Sequence, residues 1–129
     1  MVAFDTNVVV RLLMGDDPAQ TRRADRALRA HAPSGIFISL LVFVETVWVV
    51  TQVYRLDREE MLRRLTALVR TEGIIVEEAA MVLESLERAS MSTYDLADLL
   101  IAAVSRREGA VPILTFDRKL ARLEDVELL

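Results

Sequence analysis

A chain of 129 residues has the size of one ordinary domain, and its 53% apolar and 28% charged residues describe a globular protein too hydrophobic for intrinsic disorder. Twenty acidic against sixteen basic residues give a net charge of −4, so the overall field does not draw the protein to nucleic acid. With no Cys and a single His, His31, disulfide frameworks, Cys/His zinc sites and thiol nucleophiles are excluded, and a Ser-His-Asp triad is disfavoured, which leaves carboxylates to carry chemistry.

The N-terminal Met-Val-Ala-Phe-Asp5 has an acid where an export signal has Lys or Arg before a longer apolar run, so the expectation is a cytoplasmic protein. Val2 to Phe4 reads as a short strand ending at Asp5, and Val8 to Leu13 as a helix that stops at Gly15-Asp16-Asp17-Pro18. Asp17 caps the next helix with Pro18 in its first turn. Ala24, Ala27, Leu28 and His31 form its apolar face, and Arg22, Arg23, Arg26 and Arg29 lie opposite.

Gly35 opens Ile36-Phe37-Ile38, a buried strand, and Ser39 caps a helix predicted over 40–54 that carries Glu45 in its second turn. The apolar stretch from Ile36 to Tyr54 is long enough to be tested as a membrane span. Glu45 at its centre argues against that, because a mid-span acid costs about 2.5 kcal/mol or more, and a buried helix with a purposeful Glu is the better reading. Asp57 caps a helix over 58–71, with Met61, Leu65 and Leu68 inward and Arg63, Arg64 and Arg70 outward, before Gly73. Ile74 to Val76 is a third strand, followed by a helix over 78–89. Ser92-Thr93-Tyr94-Asp95 reads as a capping box that enters an Ala-rich helix ending near Gly109. Val111 to Thr115 is a fourth strand ending near Asp117; a short helix over 118–123 and a last strand over 126–128 follow. Trp48 and the five Met read as core residues.

Short apolar strands alternating with helices imply an α/β fold with a parallel sheet covered on both faces. One domain over 1–129 is expected, since no linker, repeat or low-complexity segment interrupts the chain. Ligands of such sheets sit beyond the carboxyl ends of the strands, where Asp5, Asp117 and Glu45 fall. Asp98 lies in the apolar segment Ala97-Asp98-Leu99-Leu100-Ile101, with Arg106 and Arg107 two turns or more away, and a desolvated acid needs a partner. If Asp5, Glu45, Asp98 and Asp117 converge, they either raise one another's pKa or bind a hard cation, for which all-oxygen ligands suit Mg²⁺ or Mn²⁺. Each also has a plainer role: Asp5, Thr6 and Asn7 as helix-capping chemistry, Asp117 as a cap, Glu45 and Asp98 in structural ion pairs.

Four motifs, Phe4-Asp5-Thr6-Asn7, Ser39 with Val44-Glu45, Asp95-Leu96-Ala97-Asp98 and Leu114-Thr115-Phe116-Asp117-Arg118, together resemble the PIN-domain family, and its VapC toxin branch in particular. The resemblance covers essentially the whole chain. It implies a three-layer α/β/α fold with a central parallel sheet of four or five short strands. It also implies a Mg²⁺- or Mn²⁺-dependent endoribonuclease, often a homodimer, held inactive by a cognate antitoxin. Carried over by position, Asp5, Glu45, Asp98 and Asp117 match the family's acidic site, with Asp5, Asp98 and Asp117 as metal ligands and Glu45 and Asp95 as further candidates. Asn7 and Thr115 match supporting positions, as does Thr6 beside them. Arg11, Arg118 and the arginines of the second helix are candidates for the RNA backbone. Other classes fit less well. A phosphoaccepting receiver lacks its central Asp after the third strand, where Glu77-Glu78 stands, and a haloacid-dehalogenase-like phosphatase lacks its second Asp, here Asn7. The serious alternative is a non-catalytic PIN-fold module that binds RNA or protein.

Overall fold

The computed structural model describes the whole chain, Met1–Leu129, and its packing divides into two compact units, Met1–Ala79 and Ala80–Leu129. In the first unit β1 (Val2–Ala3), β2 (Ile36–Ile38) and β3 (Ile74–Val76) pair in parallel in that order, with Val2 opposite Ile36 and Ile36 opposite Ile74. Helices α1 (Thr6–Met14), α2 (Pro18–His31), α3 (Leu40–Trp48) and α4 (Arg58–Val69) form the crossovers. Val9, Ile36, Ile38, Phe43, Val50 and Leu65 are almost wholly buried, and burying an aliphatic or aromatic side chain of this size is worth about 1.5–3 kcal/mol. Local chemistry sets the helix starts as the sequence predicts. Asp5, Asp17, Ser39 and Asp57 accept from the backbone N–H of Val8, Gln20, Val42 and Glu60, each relieving one unpaired donor of a first turn.

The second unit contains all but the first residue of α5 (Ala79–Ser90), with α6 (Leu96–Arg107), β4 (Ile113–Thr115) and β5 (Val126–Leu128). Strands β4 and β5 are parallel, with Ile113 opposite Val126 and Thr115 opposite Leu128. Val82, Leu86, Leu96, Leu99, Leu100 and Val126 make its core. Arg106 near the end of α6 donates to the Glu124 carbonyl at 2.7 Å and pairs with Asp125 at 3.5 Å.

The α/β class and the parallel pairing agree with the sequence reading, but the five strands are hydrogen-bonded as a set of three and a set of two. Strands of two or three residues form only a few ladder bonds each, so pairing depends on a handful of contacts. The predicted helix over 40–54 changes character midway. From Val49 to Val53 it widens into a π turn, with Tyr54 N–H donating to the Val49 carbonyl at 3.1 Å. Arg64 also departs from expectation. Its guanidinium is half-buried, donating to the Leu13 carbonyl at 2.8 Å and to Glu60 at 2.7 Å, so it ties α4 to the end of α1. Arg63 and Arg64 together hold the Glu60 carboxyl down to about 2. No helix is long and apolar enough to cross a membrane.

Candidate functional site

In the first unit three strand ends deliver polar groups to one edge of the sheet. Asp5 follows β1, and its Oδ1 accepts from Val8 N–H at 3.1 Å, so the capping role is present in fact. Ser39 follows β2. Glu77 follows β3, donates its own N–H to the Ile38 carbonyl at 2.9 Å, and through Oε1 accepts from Leu40 N–H at 2.8 Å. A carboxylate at the first turn of α3 sits where the helix dipole favours negative charge. Glu77 was not among the residues picked from the sequence, although the signal that selected Asp5 and Asp117, an acid just past an apolar strand, also marks Glu77.

Glu45 and Trp48 are both exposed, which corrects the expectation of a buried Glu and a core Trp. Apart from Glu45 and Thr46, helix α3 is apolar on every face. Its inner stripe is Phe43, Thr46 and Val47, with Thr46 Oγ1 donating to the Val42 carbonyl at 2.7 Å, and this leaves Leu41, Glu45 and Trp48 on the outer face. Of the methionines, Met61 is core, but Met1 and Met91 are largely exposed. Glu45, Thr6, Leu41, Val42, Val44 and Trp48 line one open cavity of about 510 Å³, so Glu45 shares a surface with the residue that follows Asp5. Thr6 is buried and Asn7 exposed. Arg11 is already engaged: Nε donates to Gln20 at 2.7 Å, and Nη1 to Tyr54 at 3.0 Å and Asp16 at 3.2 Å.

In the second unit Asp98 lies in the first turn of α6, half-buried. Burial pushes its carboxyl above the ordinary range, the charges of Asp95 and Asp117 push the same way, and Lys119 opposes them. The three acids therefore feel one another. The capping box does not form, because α6 starts at Leu96 and Asp95 is itself the N-cap, without a side-chain capping bond. Ser92 belongs instead to the exit of α5, its hydroxyl donating to the Arg88 carbonyl at 2.8 Å. Asp117 is exposed, and its Oδ1 accepts from Lys119 N–H at 2.8 Å and Leu120 N–H at 3.1 Å, while its own N–H donates to Thr115 Oγ1 at 3.0 Å. Thr115 thus shapes the turn that presents Asp117. Arg118 beside it is exposed. Lys119, which the sequence does not mark as a site residue, is the cation that faces this group.

The donor chemistry of Asp95, Asp98 and Asp117, all carboxylate with Asp98 partly desolvated, fits a hard divalent ion. As placed, no three Asp, Glu or His side chains stand close enough together to enclose one. What the arrangement provides is concentrated negative charge, which together with burial disfavours the charged form of Asp98.

Comparison with known proteins gives a family. The PIN domain model matches residues 2–126. No curated protein matches the chain significantly. Among solved structures, the crystal structure of Mycobacterium tuberculosis VapC20, described as a sarcin–ricin loop cleaving toxin, is 21% identical, with 98% of each chain covered and a TM-score of 0.46. With a family model running across nearly its full length, this chain belongs to the PIN domain family.

Proposed function

We propose that the protein is a divalent-metal-dependent endoribonuclease of the VapC type, the toxin of a toxin–antitoxin pair, and that residues 1–129 form one PIN domain. Family membership supports the nuclease class, and the order of the four acidic motifs along the chain supports the branch. The observation that carries the reading is Asp98: a half-buried carboxyl in the first turn of α6, burdened by two neighbouring carboxylates. Such a group is costly as a structural element and useful as a ligand.

Asp98 and Asp117, with Asp95 beside them, are the residues of the second unit that would hold Mg²⁺ or Mn²⁺; Asp5 and Glu45 are the candidates of the first. The ion would promote attack of water on phosphorus and offset the charge that develops on the phosphate oxygens. Thr115 keeps Asp117 oriented through its N–H, and Asp5 is held by the α1 cap. Arg118, exposed next to Asp117, is the candidate to meet the RNA backbone, whereas Arg11 is engaged with Asp16, Gln20 and Tyr54. A cytoplasmic location, a homodimer and a cognate antitoxin complete the proposal.

The test is cleavage of a mixed pool of structured and unstructured RNAs with Mg²⁺ or Mn²⁺, with EDTA, and by Asp5→Asn and Asp98→Asn variants. Activity that disappears with EDTA and in both variants is the expected result, and the two substitutions probe the acids of each unit separately. No cleavage in any pool, together with no metal-dependent rise in Tm, would establish the non-catalytic binding module instead.

A further inference from the structure

We propose that Lys119 is a positioning residue: its side chain ties the turn carrying Asp117 to the segment that leads into α6, so that Asp117 is presented to the same neighbourhood as Asp95 and Asp98. The inference rests on the reading of those acids as a divalent-ion site. Lys119 is the one lysine among sixteen basic residues. Its Nζ donates to the Thr93 carbonyl, 26 residues earlier in the chain, and lies 5.7 Å from the centre of the Tyr94 ring, within the range of a cation–π contact. Tyr94 immediately precedes Asp95, the N-cap of α6.

The same residue acts on Asp117 from the other side, since its backbone N–H donates to Asp117 Oδ1 at 2.8 Å. One residue therefore both orients the Asp117 carboxylate and anchors the turn bearing it. The alternative role for a lysine among acids is a resident counter-charge that a metal must expel. Here Nζ is bonded to the neutral carbonyl of Thr93 rather than to any of the acids, as a tether requires. A compact ammonium on a flexible stem suits a single carbonyl next to a ring, where arginine's planar fork matches a carboxylate or phosphate better.

The experiment uses the full chain without RNA and Mn²⁺ alone as probe, with free Mn²⁺ followed by electron paramagnetic resonance and metal-free Tm measured in parallel. Lys119→Met is expected to weaken Mn²⁺ binding about tenfold or more, the usual effect of losing a residue that orients a ligand. Lys119→Arg, which keeps the charge and a donor, should recover most of that loss. Tyr94→Leu, which removes the ring beneath Nζ, should cost about threefold and stands in should Lys119→Met fail to fold. A lower metal-free Tm with unchanged Mn²⁺ affinity would reduce Lys119 to a structural strut and overturn the proposal. Tighter Mn²⁺ binding by Lys119→Met would overturn it in favour of the counter-charge role. If the wild type itself binds no Mn²⁺, the metal reading fails and the proposal falls with it, an outcome distinct from a normal wild type with an indifferent variant.

Discussion

At the scale of single residues, charge decides what Asp98 does without metal. Its folded-state pKa is raised, so folding favours the protonated form. Relative to a neutral side chain, the penalty is absent below the ordinary carboxylate pKa of about 3.9 and grows as pH rises through the raised value. With EDTA present, Asp98→Asn should match the wild-type Tm near pH 3 and exceed it at pH 7, and parallel Tm curves across that range would contradict the account. Asp98 was legible in the sequence because an acid inside Ala97-Asp98-Leu99-Leu100 breaks an apolar pattern. Lys119 was not, because nothing local reveals a contact to Thr93 that depends on two distant turns meeting. Glu77 is legible from its place after the apolar strand Ile74-Ile75-Val76, the same signal that marks Asp5.

At the scale of elements, the caps at Asp17, Ser39 and Asp57 are legible because each meets a donor within three residues of itself, whereas the Ser92–Asp95 capping box does not form. The facing of α3 is not legible, since Val42, Phe43, Val44, Val47 and Trp48 offer no polar stripe to orient it, and only packing chooses Phe43 and Val47 for the interior. The π turn at Val49–Val53 is likewise a tertiary choice, and its end sets Tyr54 against Arg11 and Asp16. Two turn glycines show how backbone strain and steric overlap combine. Gly15 ends α1 at φ 61° with open space around it, so Gly15→Ala meets only the left-handed penalty of roughly 1 kcal/mol. Gly73, at φ 85°, accepts through its carbonyl from Ile36 N–H at 2.7 Å, and a Cβ there would come within 2.6 Å of the Ala32 backbone. Gly73→Ala should therefore destabilise by about 2–3 kcal/mol or more, the strain plus a displaced backbone. Urea titration of the two variants checks the order, and equal losses would show that the close approach at Ala32 relaxes freely.

At the scale of the whole molecule, the class of fold was legible because alternating apolar strands and helices dictate parallel pairing, whereas the division of five strands into three and two was not, since it rests on a few backbone bonds between short strands. The same scale governs how an acidic protein could hold RNA. A net charge of −4 opposes association with a polyanion, so binding has to come from local arginines against the global field. Each phosphate neutralised on a single strand contributes about −0.7 to the slope of log affinity against log salt. Arg11 is occupied within the fold, and the arginines of α2 lie on a solvated helix face, which leaves Arg118 beside Asp117 as the side chain nearest the proposed chemistry. Binding to single-stranded RNA, measured in EDTA so that cleavage is silent, should have a shallow slope of roughly −1 to −2, as expected for two or three phosphates. Arg118→Ala should make it shallower by about 0.7, with affinity reduced most at low salt. A steep wild-type slope that Arg118→Ala leaves untouched would move the RNA path to the Arg22, Arg23, Arg26 and Arg29 face of α2.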